Sequence, residues 1–133
     1  MNALSSYHDA EIGGIAYTRA LRSVLLSLEQ PGGKEAQLLF SGVRAFRVND
    51  YGLENVVSRT LVSTSRKFSR EEIRDYVQWA QSEHNFKAPL TEARTKEIEA
   101  ALSRGKLLLF VVEPSVGAEI VILCAGVSVR NFC

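Results

Sequence analysis

The stretch Asn55-Val56-Val57-Ser58-Arg59-Thr60-Leu61-Val62-Ser63-Thr64-Ser65-Arg66-Lys67-Phe68-Ser69-Arg70-Glu71-Glu72-Ile73 changes its hydrophobic period partway along. Up to Ser65, an extended chain puts Val57, Arg59, Leu61 and Ser63 on one side and Val56, Ser58, Thr60, Val62 and Thr64 on the other. The β-branched residues among them suit a pleated surface better than a helix. Beyond Phe68 the pattern is helical. Ser69 followed by Glu72 matches a capping box, and Phe68 is placed to pack as the apolar residue before the cap. Ile73, Tyr76, Val77 and Ala80 then recur at i, i+3, i+4 and i+7, with Trp79 at the margin of the stripe. The spacing predicts a strand over 55–65 and an amphipathic helix from Ser69 to about Glu83 or His84. The helix should stop there because 85–89 is turn-like and Pro89 disfavours helical geometry at Ala88.

Towards the N-terminus the chain reads as extended runs joined by turns. A strand over 10–17 carries Gly13 and Gly14, which favour a bulge or bend. Over 21–28, Val24, Leu26 and Leu28 alternate with Ser23 and Ser27. Pro31, Gly32 and Gly33 supply turn chemistry for a hairpin. Its return arm begins over 36–43, with Leu38 and Phe40 on one parity. Ser41 and Gly42 permit a bend before Arg44, Phe46 and Val48 resume the alternation, and Asn49 to Gly52 turn the chain again.

Towards the C-terminus, Thr91 can cap a second helix whose inward stripe is Ile98, Ala101 and Leu102, and Gly105 is a suitable left-handed terminator. Apolar strands over 107–112 and 118–129 follow, with Gly126 expected to weaken or bulge the last. The expected architecture is one α+β domain over 1–133, in the order β-β-β-β-α-α-β-β. Short turns between neighbouring strands predict a mostly antiparallel β-sheet with both helices packed on one face.

Composition narrows the function classes. The chain has 133 residues, 46% of them hydrophobic, enough for one core that buries about two thirds of the unfolded surface. A formal charge of +1 gives no overall field to attract nucleic acid or an anionic membrane. The most apolar segment, 106–129, is broken by Glu113, Pro114 and Glu119, so no membrane span is expected. No secretory signal pattern opens the chain, and a cytoplasmic protein is expected. Cys124 and Cys133 form neither a disulfide framework nor a metal-ligand spacing, so neither metal nor cofactor is expected.

The densest polar group is His8, Asp9 and Glu11. In an extended segment His8 and Asp9 point apart while Asp9 and Glu11 share a side, an arrangement that favours a structural hydrogen-bonding role. A small hydrolase or metal-dependent enzyme would use these residues with groups from another strand, such as Arg44 or His84. A weak nucleic-acid-binding module would use Arg44, Arg47, Arg59, Arg66 and Lys67 with Phe46 and Tyr51, although Arg44 and Arg47 have opposite strand parity. Pro31-Gly32-Gly33-Lys34 lacks the glycine spacing and Lys-Ser or Lys-Thr ending of a phosphate loop.

The stretch His8-Asp9-Ala10-Glu11-Ile12, the hairpin after it, Leu39-Phe40-Ser41-Gly42-Val43-Arg44-Ala45-Phe46 and Asn55-Val56-Val57 together resemble small bacterial domains grouped with immunity-like proteins of contact or polymorphic toxin systems. The resemblance covers the first half of the chain and implies a bacterial cytoplasmic protein that binds rather than catalyses. The leading expectation is a non-enzymatic domain that binds another protein or a second copy of itself. Its contact residues are expected to be the aromatic Phe46, Tyr51 and Trp79, bordered by Arg44 and Arg47.

Overall fold

The computed structural model describes residues 7–82 and 87–132. The strands are β1 (Glu11–Thr18), β2 (Ser23–Glu29), β3 (Glu35–Ser41), β4 (Ala45–Asn49), β5 (Val56–Val62), β6 (Leu108–Val116), β7 (Glu119–Cys124) and β8 (Gly126–Phe132). Helices α1 (Arg70–Gln81) and α2 (Glu92–Ser103) lie between β5 and β6. All pairs are antiparallel, in one eight-stranded sheet ordered β4-β7-β6-β5-β1-β2-β3-β8. The α+β class and the helices on the sheet are as the sequence predicts.

The strand count is corrected from six to eight, because each of the two longest arms is broken at a corner. The return arm divides at Gly42 into β3 and β4, and the last arm divides at Ala125 into β7 and β8. The two breaks face one another. The Ala125 amide donates to the Ser41 and Gly42 carbonyls at 3.0 and 3.2 Å. Gly42 holds φ at +63°, and a β-carbon there would stand 2.7 Å from that of Ala125. A side chain at 42 would push the corner apart.

These corners bend the sheet into two facing leaves, β4-β7-β6-β5 and β1-β2-β3-β8. Ile12, Leu26, Leu38 and Phe40 of the second leaf share one core with Val57, Phe110, Ile120 and Ile122 of the first. The Phe40 and Phe110 rings meet at 4.9 Å across it. Alternation sends Leu61, Leu109, Val111, Val121 and Leu123 to the opposite side of the first leaf, where they form a second core with Phe68, Ile73, Val77, Ala80 and Ile98. This explains the continuous apolar run 107–112: strand β6 is covered on both faces. The β1–β5 seam between the leaves is short, pairing Glu11 with Val56. It is extended by Asp9 N to Val57 O, Val57 N to Ala10 O and Ile12 N to Asn55 O, each 2.8 Å.

Local chemistry accounts for the element ends. The Glu72 amide donates to Ser69 Oγ at 3.1 Å and the Ser69 amide donates to Glu72 Oε1 at 2.9 Å, completing the expected capping box. Buried Phe68 meets Tyr76 edge-on at 5.9 Å. Helix α1 ends at Gln81 with Ser82 as its cap; Glu83 and His84 lie outside the described residues. Thr91 caps α2 and Gly105 follows it at φ +72°. The glycine-associated irregularity in β1 is a register shift between Ile12 and Gly14. Among the described residues no helix is long and apolar enough to cross a membrane.

Candidate functional site

The sequence-expected contact residues fall on two separate surfaces. Arg47 and Trp79 meet on the helix side of the first leaf. The Arg47 guanidinium lies 4.5 Å from the Trp79 ring centroid and donates to the Trp79 carbonyl at 3.1 Å. The same contact puts a second donor on a carbonyl near the end of α1 that already accepts from the Ser82 amide at 3.2 Å, and it covers the indole face. A shallow cleft of about 270 Å³ opens beside it, lined by Asp75, Tyr76, Trp79, Val111, Glu113, Glu119 and Val121. Its acidic groups are partly compensated: Glu113 pairs with Arg59, and Asp75 lies 3.7 Å from Arg74.

Phe46 faces the other way, towards the space between the leaves, where its ring stacks on Tyr17 with centroids 6.0 Å apart. Tyr17 belongs to β1 and Phe46 to β4, strands that do not pair, so the contact closes one end of the sandwich. Tyr17 remains 50% exposed. The β1–β2 connection lies at this end, because the Val43 amide donates to the Arg22 carbonyl at 2.9 Å. That connection exposes Arg19, Leu21 and Arg22, and Arg44 follows Val43 at the surface. Arg22 holds φ at +46°, a left-handed conformation unusual for a non-glycine residue. Among the described residues, Arg19, Arg22 and Arg44 enter no ion pair.

Tyr51 lies beyond the far end of β4 and is 49% exposed, apart from both groupings. The basic residues considered for nucleic acid are likewise dispersed. Arg59 is held by Glu113 and Arg66 by Glu72 at 2.5 Å, while Arg47 is committed to Trp79. Arg66 and Lys67 line a cleft of about 310 Å³ with Ser63, Thr64, Ser65 and Ser103.

His8 and Asp9 do come together, contrary to the extended reading. The chain turns there, with Asp9 at φ +64°, so His8 Nε2 lies 3.4 Å from Asp9 Oδ2. His8 Nδ1 is 2.6 Å from the Ser58 carbonyl, and both side chains are largely exposed at 72% and 60%. Glu11 begins β1 at the surface opposite Glu29. The arrangement ties the first turn to β5. Cys124 is fully buried and its thiol is pushed up to about 12 by burial. Cys133, like His84, lies outside the described residues. Among the described residues no grouping of His, Cys, Asp or Glu is placed to hold a metal ion.

Of the sequence-expected contact residues, Arg44 and Phe46 lie at the Tyr17 end, where Tyr17, Arg19, Leu21 and Arg22, not among the residues expected from the sequence, are exposed beside them. The signal available was the two arginines flanking Leu21 in a connection too short to bury them. Compared with family models, curated proteins and solved structures, the chain matches none.

Proposed function

We propose that this domain is a binding module that engages another protein through the Tyr17–Phe46 end of the sandwich. The observation that carries the reading is the half-exposed Tyr17 ring, braced by Phe46, beside the exposed Arg19, Arg22 and Arg44, which enter no ion pair among the described residues. Tyrosine and arginine are enriched among the few residues that carry most of the binding energy of a protein interface, and a ring already braced in the free protein loses little freedom on contact. These arginines favour a partner surface bearing carboxylates, which a guanidinium can bind in a forked geometry. An immunity-like role, in which the domain covers a toxin in the bacterial cytoplasm, is the form of this reading that the sequence resemblance implies.

The test is capture of the partner on the immobilised domain, followed by titration calorimetry with the identified protein. Tyr17→Ser and Arg19→Glu should each weaken binding by about 2 kcal/mol, roughly thirtyfold, while leaving the melting temperature near that of the wild type. Affinity should also fall as salt is raised. Binding that is indifferent to both substitutions would reject the reading. So would tight, salt-dependent binding of a single-stranded oligonucleotide by this end, or a small-molecule turnover abolished by His8→Asn.

A further inference from the structure

Strand β8 ends the second leaf, paired with β3 on one side and with no described strand on the other. The direction of its backbone groups follows from the neighbouring ladder. The Gln30 amide donates to the Lys34 carbonyl at 2.7 Å, one step beyond the Glu29–Glu35 pair. Bonded pairs in an antiparallel ladder alternate, so Leu28 with Ala36 and Leu26 with Leu38 are bonded pairs too. Ala36 and Leu38 therefore turn their N–H and C=O groups to β2, and Gln37 and Leu39 turn theirs to β8. Their partners are Arg130 and Ser128. Val127, Val129 and Asn131 are left with their backbone groups aimed at the unpaired edge.

An edge of this kind invites another strand unless it is short, bulged, proline-bearing or charged. Strand β8 is seven residues long, runs against β3 without a register shift and contains no proline. Its one charged residue, Arg130, lies opposite Gln37 on the outer face, while Val129 is 36% and Phe132 38% exposed.

We propose that β8 pairs antiparallel with β8 of a second copy of this chain, across a two-fold axis at Val129. In that register Val129 exchanges both backbone hydrogen bonds with its own copy, and Val127 does so with Asn131 of the copy. Every outward-facing group of the strand is then used. On the outer face Arg130 stands opposite Ser128 of the copy. Sliding the strands to centre on Arg130 would put like charges directly opposite each other. Sliding the other way would set Asn131 against Ala125, whose amide is already bonded to Ser41 and Gly42. The chain's own charges and corner hydrogen bonds thus select one register, and the interface is self-complementary as two-fold symmetry requires. The pairing joins two second leaves into one continuous sheet and leaves the Tyr17–Phe46 end unused. A strand-to-strand contact is small, so the dimer forms with rising concentration.

Sedimentation equilibrium between about 10 μM and 1 mM, a span suited to a small interface, tests this together with amide exchange at both extremes. Ser128 is exposed, so its substitution leaves the protomer intact. Ser128→Arg should weaken the dimer about tenfold and Ser128→Glu should tighten it, because residue 128 meets Arg130 twice across the axis. Exchange at the Val127, Val129 and Asn131 amides should slow as the dimer forms. A chain that stays monomeric, whether its edge is bare or taken by an extended segment of another protein, overturns the proposal. A dimer indifferent to residue 128, or one in which those amides still exchange freely, also overturns it. The partner-binding reading is tested separately: Arg19→Glu should leave self-association unchanged, and Ser128→Arg should leave partner capture unchanged.

Discussion

Asn55 and Gly117 stand so close that a β-carbon on residue 117 would lie 2.5 Å from Asn55 Oδ1 and 2.2 Å from the Glu54 carbonyl oxygen. Asn55 is 2% exposed, and its side-chain oxygen accepts from the Ala118 and Gly52 amides at 3.0 Å each. Its Nδ2 donates to the Gly52 carbonyl at 2.7 Å, and its own carbonyl accepts from Ile12. One carboxamide thus ties the 50–55 loop and the β6–β7 turn together at the start of the seam between the leaves.

Gly117→Ala should destabilise the fold by at least about 3 kcal/mol, since it combines a left-handed φ with a backbone clash. Asn55→Ala should cost about 2–4 kcal/mol through the backbone groups it leaves buried and unpaired. The double variant should lose less than the sum, because removing the carboxamide gives the added methyl room on one side. Urea denaturation of the three variants checks this, and strict additivity would show that the two residues do not share one constraint.

Val77 is 1% exposed within the core between α1 and the first leaf. Val77→Asp should therefore cost about 4 kcal/mol and lower the melting temperature by about 10–20 °C. An unchanged melting temperature would mean that α1 does not pack through this residue.

The sequence signals that proved legible were those confined to neighbouring residues. The change of period at Phe68, the Ser69–Glu72 box and Gly105 after α2 all depend on short-range sterics or hydrogen bonds. What escaped detection depends on partners distant in sequence. Alternation in 36–48 and 118–129 is the same whether each is one strand or two, because the corner exists only where Gly42 and Ala125 meet. Tyr17 and Phe46 stack across unpaired strands, and no spacing within either strand encodes that contact. An extended chain would point His8 and Asp9 apart, whereas Asp9 takes a turn conformation. Their proximity is therefore a product of the turn and not of strand parity.

The Glu72 carboxyl lies below its ordinary range, first because it accepts the Ser69 amide hydrogen bond and further because the Arg66 guanidinium is close. A carboxyl depressed in the folded state adds stability above its unfolded value, 4.5, and loses it as pH falls through the folded value. Glu72→Gln keeps an acceptor at the cap but removes the charge. The gap in melting temperature between wild type and this variant should be present at pH 7 and shrink below about pH 4. A gap that is constant down to pH 3 would show that the charge plays no part in the cap.

Cys124 closes β7 at the corner with β8, where it is fully buried. Burial pushes its thiol from 9.0 up to about 12, partly offset by the backbone hydrogen bond with Gly126. The thiolate is the reactive form, so the folded protein should resist alkylation at pH 8. With Cys133→Ser as background, iodoacetamide should leave the native chain unmodified and label it fully in denaturant, read by intact mass. The linkage has a definite sign. A thiol raised on folding contributes stability that is complete below pH 9 and declines as the unfolded chain ionises first, across roughly pH 9 to 12. Wild type should therefore lose more stability than Cys124→Ala between pH 8 and pH 10.5, on top of any alkaline loss common to both. Rapid labelling of the native chain at pH 8, or parallel alkaline curves for the two proteins, would place Cys124 in contact with solvent and contradict the closed corner.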